Sequence, residues 1–198
     1  MRLVKMLVLA GLLPALLLLV RASSKRPASA GTPPPQTILQ QTTSFLTDLL
    51  WLRVDEYWHV GDHDSCIRLL RLITDLDPQD TQAYGSAAWL LWSQGKDAIA
   101  IRVYREGIAA NPDVYDMYYE LGAYYWLHRH YAEAASWLRQ AVQRNPPLYV
   151  KHMYAHSLRK AGKKAEAIAA WRQILAQHPD DAVAQRELEK LGGSAGMR

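Results

Sequence analysis

Apolar residues recur every three to four positions from Ile38 to Leu191, in stretches of about fourteen residues broken by short polar segments. That period buries one stripe of a helix, so the chain reads as a succession of packed helices. Gly61, Gly95 and Gly162 fall between paired stretches and mark turns, since glycine enters the left-handed region without a Cβ penalty. Arg129 stands where the third pair would have its glycine, and a different turn is expected over residues 128–130. After the last pair, AVAQRELEKL follows Asp180 and Asp181 and reads as a capped helix with Ala184, Leu188 and Leu191 on one side. At the other end, Ile38, Leu39, Phe45 and Leu46 predict that the first helix starts early and shields that end of the stack.

The prolines set the period. Pro78, Pro112 and Pro146 are 34 residues apart, and Pro179 follows Pro146 after 33. Intervals of this length mark stacked supersecondary units, with proline where a helix must stop. Four blocks result, residues 47–80, 81–114, 115–147 and 148–181. Large residues recur at fixed offsets in the first three: Leu50, Tyr84 and Tyr118; Tyr57, Leu91 and Tyr125; Leu70, Tyr104 and Leu138. Small ones recur at Cys66, Ala100 and Ala134, and at Gly107 and Ala141, which lets helices approach closely. In the fourth block, Tyr154, Ala155, Leu158, Ala167, Trp171 and Ile174 take the corresponding places, and the missing residue must be absorbed between Pro146 and Gly162.

This combination resembles the tetratricopeptide-repeat (TPR) family over roughly residues 47–181. The third block meets the family pattern best, through Tyr118, Leu121, Gly122, Tyr125, Ala134, Leu138, Ala141 and Pro146; the first departs most, with Arg53 and Val54 in place of Leu and Gly. The resemblance implies an all-α, TPR-like superhelix or solenoid of four helix-turn-helix repeats over residues 36–192, with a capping helix at 181–191. It also implies that the first helix of each pair lines a concave groove. The positions it selects include Trp51, Asp55 and Trp58, then Trp89 and Trp92, Tyr119 and Trp126, and His152, His156 and Arg159. Trp58, Trp92 and Trp126 lie one repeat apart and are expected in one row, either contacting a partner or packing between repeats. The basic groove residues with which some family members clamp a carboxyl terminus are unmatched in the first block, where Trp51 and Asp55 stand.

Charge narrows the partner class. The net charge is +4, but Arg2, Lys5, Arg21, Lys25 and Arg26 all precede the first acid, Asp48; without these five of the 23 basic residues, 18 face 19 acidic ones. A near-neutral body carries no electrostatic footprint for nucleic acid. Cys66 is the only cysteine, which excludes an intramolecular disulfide and any cysteine-based metal cluster. His152 and His156 have a chelating spacing, and His128 with His130 lies in a turn. Neither pair is completed by a carboxylate or cysteine at telling spacing, and two ligands seldom hold zinc. No nucleophile elbow, phosphate-cradling glycine loop or zincin motif occurs, so no enzyme activity, cofactor or metal is expected.

Residues 1–21 have the layout of a secretory signal or membrane anchor: two basic residues, then the apolar run Met6 to Val20. The run is short for a span and interrupted by Pro14, which favours a cleavable signal. Arg21, Lys25 and Arg26 resist translocation and keep an uncleaved anchor open. Residues 22–35 read as an extended, Pro-rich linker. The chain is therefore expected to be exported or anchored with its helical domain outside the cytoplasm. The function expected is a non-enzymatic scaffold or assembly factor that grips a protein or peptide partner, with membrane contact through the N-terminal segment and no nucleic acid. The alternative is glycan or small-ligand binding on the aromatic groove.

Overall fold

The computed structural model describes residues 37–192; the leader and the linker lie outside the described residues. These residues form helices α1 (Ile38–Val60), α2 (His63–Leu76), α3 (Thr81–Ser93), α4 (Asp97–Ala110), α5 (Tyr115–Leu127), α6 (Tyr131–Val142), α7 (Leu148–Lys160), α8 (Lys164–Gln177) and α9 (Ala182–Lys190), with no strand among them. Consecutive helices pack as hairpins: α1 with α2, α3 with α4, α5 with α6 and α7 with α8. Each hairpin stacks on the next, giving an all-α solenoid.

Local chemistry sets the boundaries. Asp62, Asp80 and Asp181 are N-caps whose carboxylates accept from the backbone N–H of Ser65, Ala83 and Ala184, satisfying donors that a helix start leaves orphaned. Within hairpins the chain reverses through one repeated device. Gly61, Gly95 and Gly162 have φ of +78°, +75° and +79°; each donates to the carbonyl three residues back, and the next residue donates to the one five back. Arg129 does the same at φ +62°, donating to Trp126 while His130 donates to Tyr125. The expectation of a different turn is therefore corrected: packing imposes the same reversal on a side chain that pays for the left-handed backbone.

The interior follows from matching large residues to small ones. Leu70, Tyr104 and Leu138 are fully buried against neighbours that include Cys66, Ala100, Ala134 and Ala141. A Cβ on Gly122 would stand 2.7 Å from Cγ of Leu138, and one on Gly107 2.5 Å from Sδ of Met117, so both positions exclude a larger residue unless their neighbours move. Loops staple successive hairpins: Asn111 donates to the Pro78 carbonyl at 2.8 Å, and the Arg144 guanidinium lies 3.8 Å from the Tyr118 ring centre. The missing residue falls between Pro146 and Leu148, for the other first helices start three residues after their proline and α7 starts two after it.

The two ends differ. Helix α9 buries Ala184 and Leu188 on Trp171 and Ile174 of α8, as a terminal cap requires. Helix α1 does start early, but Phe45 remains 63% exposed and Ile38 and Leu39 still more. Their expected shielding role is corrected: the helix outruns its partner α2 by nine residues, so no second helix lies under that overhang.

Candidate partner-binding wall

The first helices of the hairpins stand side by side. Trp58 of α1 meets Trp89 of α3 at 5.7 Å between ring centres, Trp92 of α3 meets Tyr124 of α5 at 6.3 Å, and Tyr119 of α5 meets Tyr149 of α7 edge-on at 5.3 Å. Helix α7 reaches α9 through His152 and Asp181. Helices α1, α3, α5, α7 and α9 therefore form one continuous wall, with helical spacing aligning equivalent side chains.

The indoles on it are linked differently from the expected row. Trp58 contacts Trp89, Trp89 contacts Trp92 at 6.0 Å, and Trp92 passes the contact to His128. Trp126 packs instead on Tyr131 of its own hairpin, at 5.0 Å. The helical face of α3 carries both Trp89 and Trp92, three apart, so one bridges back to α1 and the other forward to α5. All four indoles are half-buried.

The fifth position of each block behaves in two ways. Trp51 Nε1 donates to the Asp80 carboxylate at 2.9 Å, and His152 Nε2 lies 2.9 Å from that of Asp181. Each ties a first helix to the N-cap of the next, 29 residues on. At the two central junctions the corresponding pairs are Gly85 with Val114 and Tyr119 with Pro147. Val114 and Pro147 offer no side-chain cap, and no such tie forms.

His152 and His156 both lie against the fully buried Trp171, at 5.5 and 4.8 Å between ring centres. Glu187 of α9 receives Lys190 at 2.7 Å, Arg159 at 3.4 Å and His156 at 3.9 Å. Burial keeps His156 below its ordinary range against the pull of Glu187. Burial alone would raise Asp181, but the Ala184 N–H and His152 hold it low. The histidine pair thus closes the last junction. Among the described residues no group of three or more His, Cys, Asp or Glu side chains converges as metal ligands. Asp55 is exposed at the other end and faces His59 at 3.6 Å.

Sequence reasoning passed over the chemistry of the central wall. Helix α3 contains no charged residue, and the only charged residues of α5 are Asp116 and Glu120, one turn apart. Burial and then the charge of Asp116 push the Glu120 carboxyl up to about 7. Burial also raises Asp116, against hydrogen bonding from Tyr115, whose hydroxyl is shared with Tyr149. Burial and Glu120 push Tyr119 up to about 12. The signal available in the sequence was the absence of Lys and Arg from residues 72–95 and again from residues 106–128. Glu120 lies one place beyond the fifth position of its block, outside the groove rule. A separate cleft of 250 Å³ between α6, α7 and α8 is lined by Asn145, Lys151, Tyr154 and Gln173 among others and contains none of the indoles.

Helical hairpins repeated at this interval, with their first helices in one wall, define a repeat solenoid of the kind that serves as a protein-interaction scaffold. The tetratricopeptide-repeat family model matches residues 86–148 and 153–188, together half of the chain, and the chain belongs to that family. No curated protein matches the sequence significantly. Similar solved structures include MamA of Desulfovibrio magneticus, at 15% identity and TM-score 0.56, covering 74% of this chain and 83% of that one. A thermophilic TPR protein of Thermus thermophilus is similar at 18% identity and TM-score 0.52, covering 73% and 80%. YrrB, described as a TPR protein with an unusual peptide-binding site, is similar at 17% identity and TM-score 0.51, covering 71% and 75%. At these identities the likeness is one of fold.

Proposed function

We propose that this chain is a non-enzymatic scaffold, exported or membrane-associated, that grips a segment of a partner protein along the wall of its first helices. The observation that carries the reading is the half-exposed ladder Trp58–Trp89–Trp92. Indoles presented side by side on a stacked wall supply apolar area at low entropic cost, and such anchors dominate binding energy. The peptide-binding site ascribed to YrrB is in keeping with this use of the fold.

The test is capture of partners from solubilised membranes by the full chain and by a variant carrying Trp58→Ala, Trp92→Ala and Trp126→Ala. Circular dichroism checks that helical content is kept. Loss of a captured protein supports the wall; unchanged capture by the folded variant removes it. Amino-terminal sequencing of the natural protein decides the leader: an intact Met1 means an anchor, and a start near Ser23 or Gly31 means export. No helix among the described residues is long and apolar enough to cross a membrane.

A further inference from the structure

Helix α1 carries apolar side chains on two faces. Its inner face buries Thr47 and Val54 and sets Leu50, Tyr57 and Trp58 against the core. Leu49 stands about 200° round the helix from Thr47, on the far side. Phe45, Leu46, Leu49 and Leu52 there are all exposed, Leu52 by 57%. Val60, eleven residues beyond Leu49, returns to the same face and is exposed as well. The charged residue within this face, Glu56, is paired with Arg53 at its edge. The other end of the solenoid shows what is missing: α9 lies over the last hairpin, whereas the outer face of α1 stays open. A contiguous apolar surface at the free end of a repeat stack calls for a cover.

We infer that the cover is a second copy of this chain, with the two α1 helices laid antiparallel across a two-fold axis at Leu49. A two-fold interface needs a patch that complements itself, and this one reads alike in both directions. Leu46 and Leu52 lie three residues to either side of Leu49, and Phe45 and Arg53 lie four. Antiparallel pairing therefore sets Leu49 on Leu49 and Leu46 on Leu52 of the second copy. It also brings each Arg53 guanidinium to a Phe45 ring, a favourable cation–π pair, and leaves Glu56 opposite Thr42. The exposed parts of Phe45, Leu46, Leu49, Leu52 and Val60 come to roughly 600 Å² per copy, about 1,200 Å² for the pair, which reaches the range of specific interfaces. Charge argues against a lipid surface as the cover: Asp48, Asp55 and Glu56 outnumber Arg53 on α1, and anionic headgroups repel such a helix. The dimer joins two walls at their first helices, so one particle holds two partner segments.

The experiment is sedimentation equilibrium of the full chain in mild detergent, joined to cysteine cross-linking. A reversible dimer is expected, with its dissociation constant raised tenfold or more by Leu49→Asp with Leu52→Asp in a chain of unchanged helical content. The native Cys66 is buried, so an introduced thiol reports its own position. Leu49→Cys, at the axis, should give a covalent dimer on mild oxidation. Val60→Cys should not, because its two copies stand about 33 Å apart along the paired helices, far beyond disulfide reach. A chain that stays monomeric up to about 100 μM overturns the inference. So does a dimer indifferent to the aspartate pair, which would be held through the leader or another surface. Cross-linking at Val60→Cys in place of Leu49→Cys overturns the antiparallel register. A monomer whose binding to phosphatidylglycerol vesicles is lost with the aspartate pair assigns the face to a lipid surface and overturns the dimer. None of these outcomes touches the wall, whose capture test stands apart.

Discussion

The outer and the central junctions of the solenoid are built on the same spacing but closed by different means. At the outer ones, Trp51 reaches Asp80 and His152 reaches Asp181, so one carboxylate both caps a helix and holds its neighbour. At the central ones, Gly85 and Tyr119 face Val114 and Pro147, which offer nothing to hold. There the helices are joined by apolar packing, by ring contacts and, between α5 and α7, by the hydroxyl that Tyr115 shares with Tyr149, with no cap tie to a first helix. Ties cost a surface its availability, since a side chain committed to its neighbour is not offered to a ligand. The contrast teaches that candidate positions chosen by one rule serve different ends: Trp51, His152, His156 and Arg159 close junctions, whereas Tyr119 and the indoles of α3 remain on offer.

The comparison can be broken most forcefully at the last junction. Trp171→Ala empties the fully buried site on which His152 and His156 rest and should cost about 3–5 kcal/mol, read as a lowered urea midpoint. Asp181→Ala removes a cap and a tie together and should cost about 2 kcal/mol; a loss no larger than that of an uncapped surface site would mean the tie contributes nothing.

Acid should separate the two kinds of junction by sign. Asp181 and Glu187 titrate below their ordinary values, so what they contribute is present above those values and disappears as pH falls through the lowered ones. Burial also depresses His156, and its neutral form is favoured in the fold, so its contribution erodes as pH drops below 6.5. Glu120 is the reverse: raised from 4.5 to about 7, it favours the fold at low pH and ceases to as pH rises through 7. Fluorotryptophan resonances of Trp171 and Trp89, followed through urea at pH 7 and pH 5, should show the first site weakened and the second strengthened on acidification. Parallel movement of both would dissolve the distinction.

Smaller effects should come from repairing the centre. Arg129→Gly relieves a left-handed φ of +62° and should stabilise by about 1 kcal/mol. Val114→Ser supplies the missing cap at α5 for about 0.5–1 kcal/mol, measured as a raised melting temperature.

The hairpin architecture was legible because its determinants are local. Proline stops a helix, glycine permits the reversal, and a small residue opposite a large one leaves a periodic trace whatever lies elsewhere in the chain. What escaped depended on three-dimensional neighbours. Nothing at Arg129 announces that packing will force it through the glycine turn. Phe45 and Leu46 have the spacing of buried residues, yet they lie where the hairpin has no second helix to bury them. The ties appear only once position five meets a cap 29 residues away. Glu120 sits one place from the groove rule, and only the absence of cations around it hinted at an unmet charge.

The proline pair at 146 and 147 has a practical corollary for anyone exchanging repeats between solenoids. A 34-residue cassette transplanted there brings one residue more than the native connection allows, for α7 starts only 33 residues after α5. Carried into the helix, the surplus residue would turn it by about 100° and swing His152 away from Asp181. Chimeras of this protein should therefore be spliced at Pro146–Pro147, with everything downstream moved as a single cartridge.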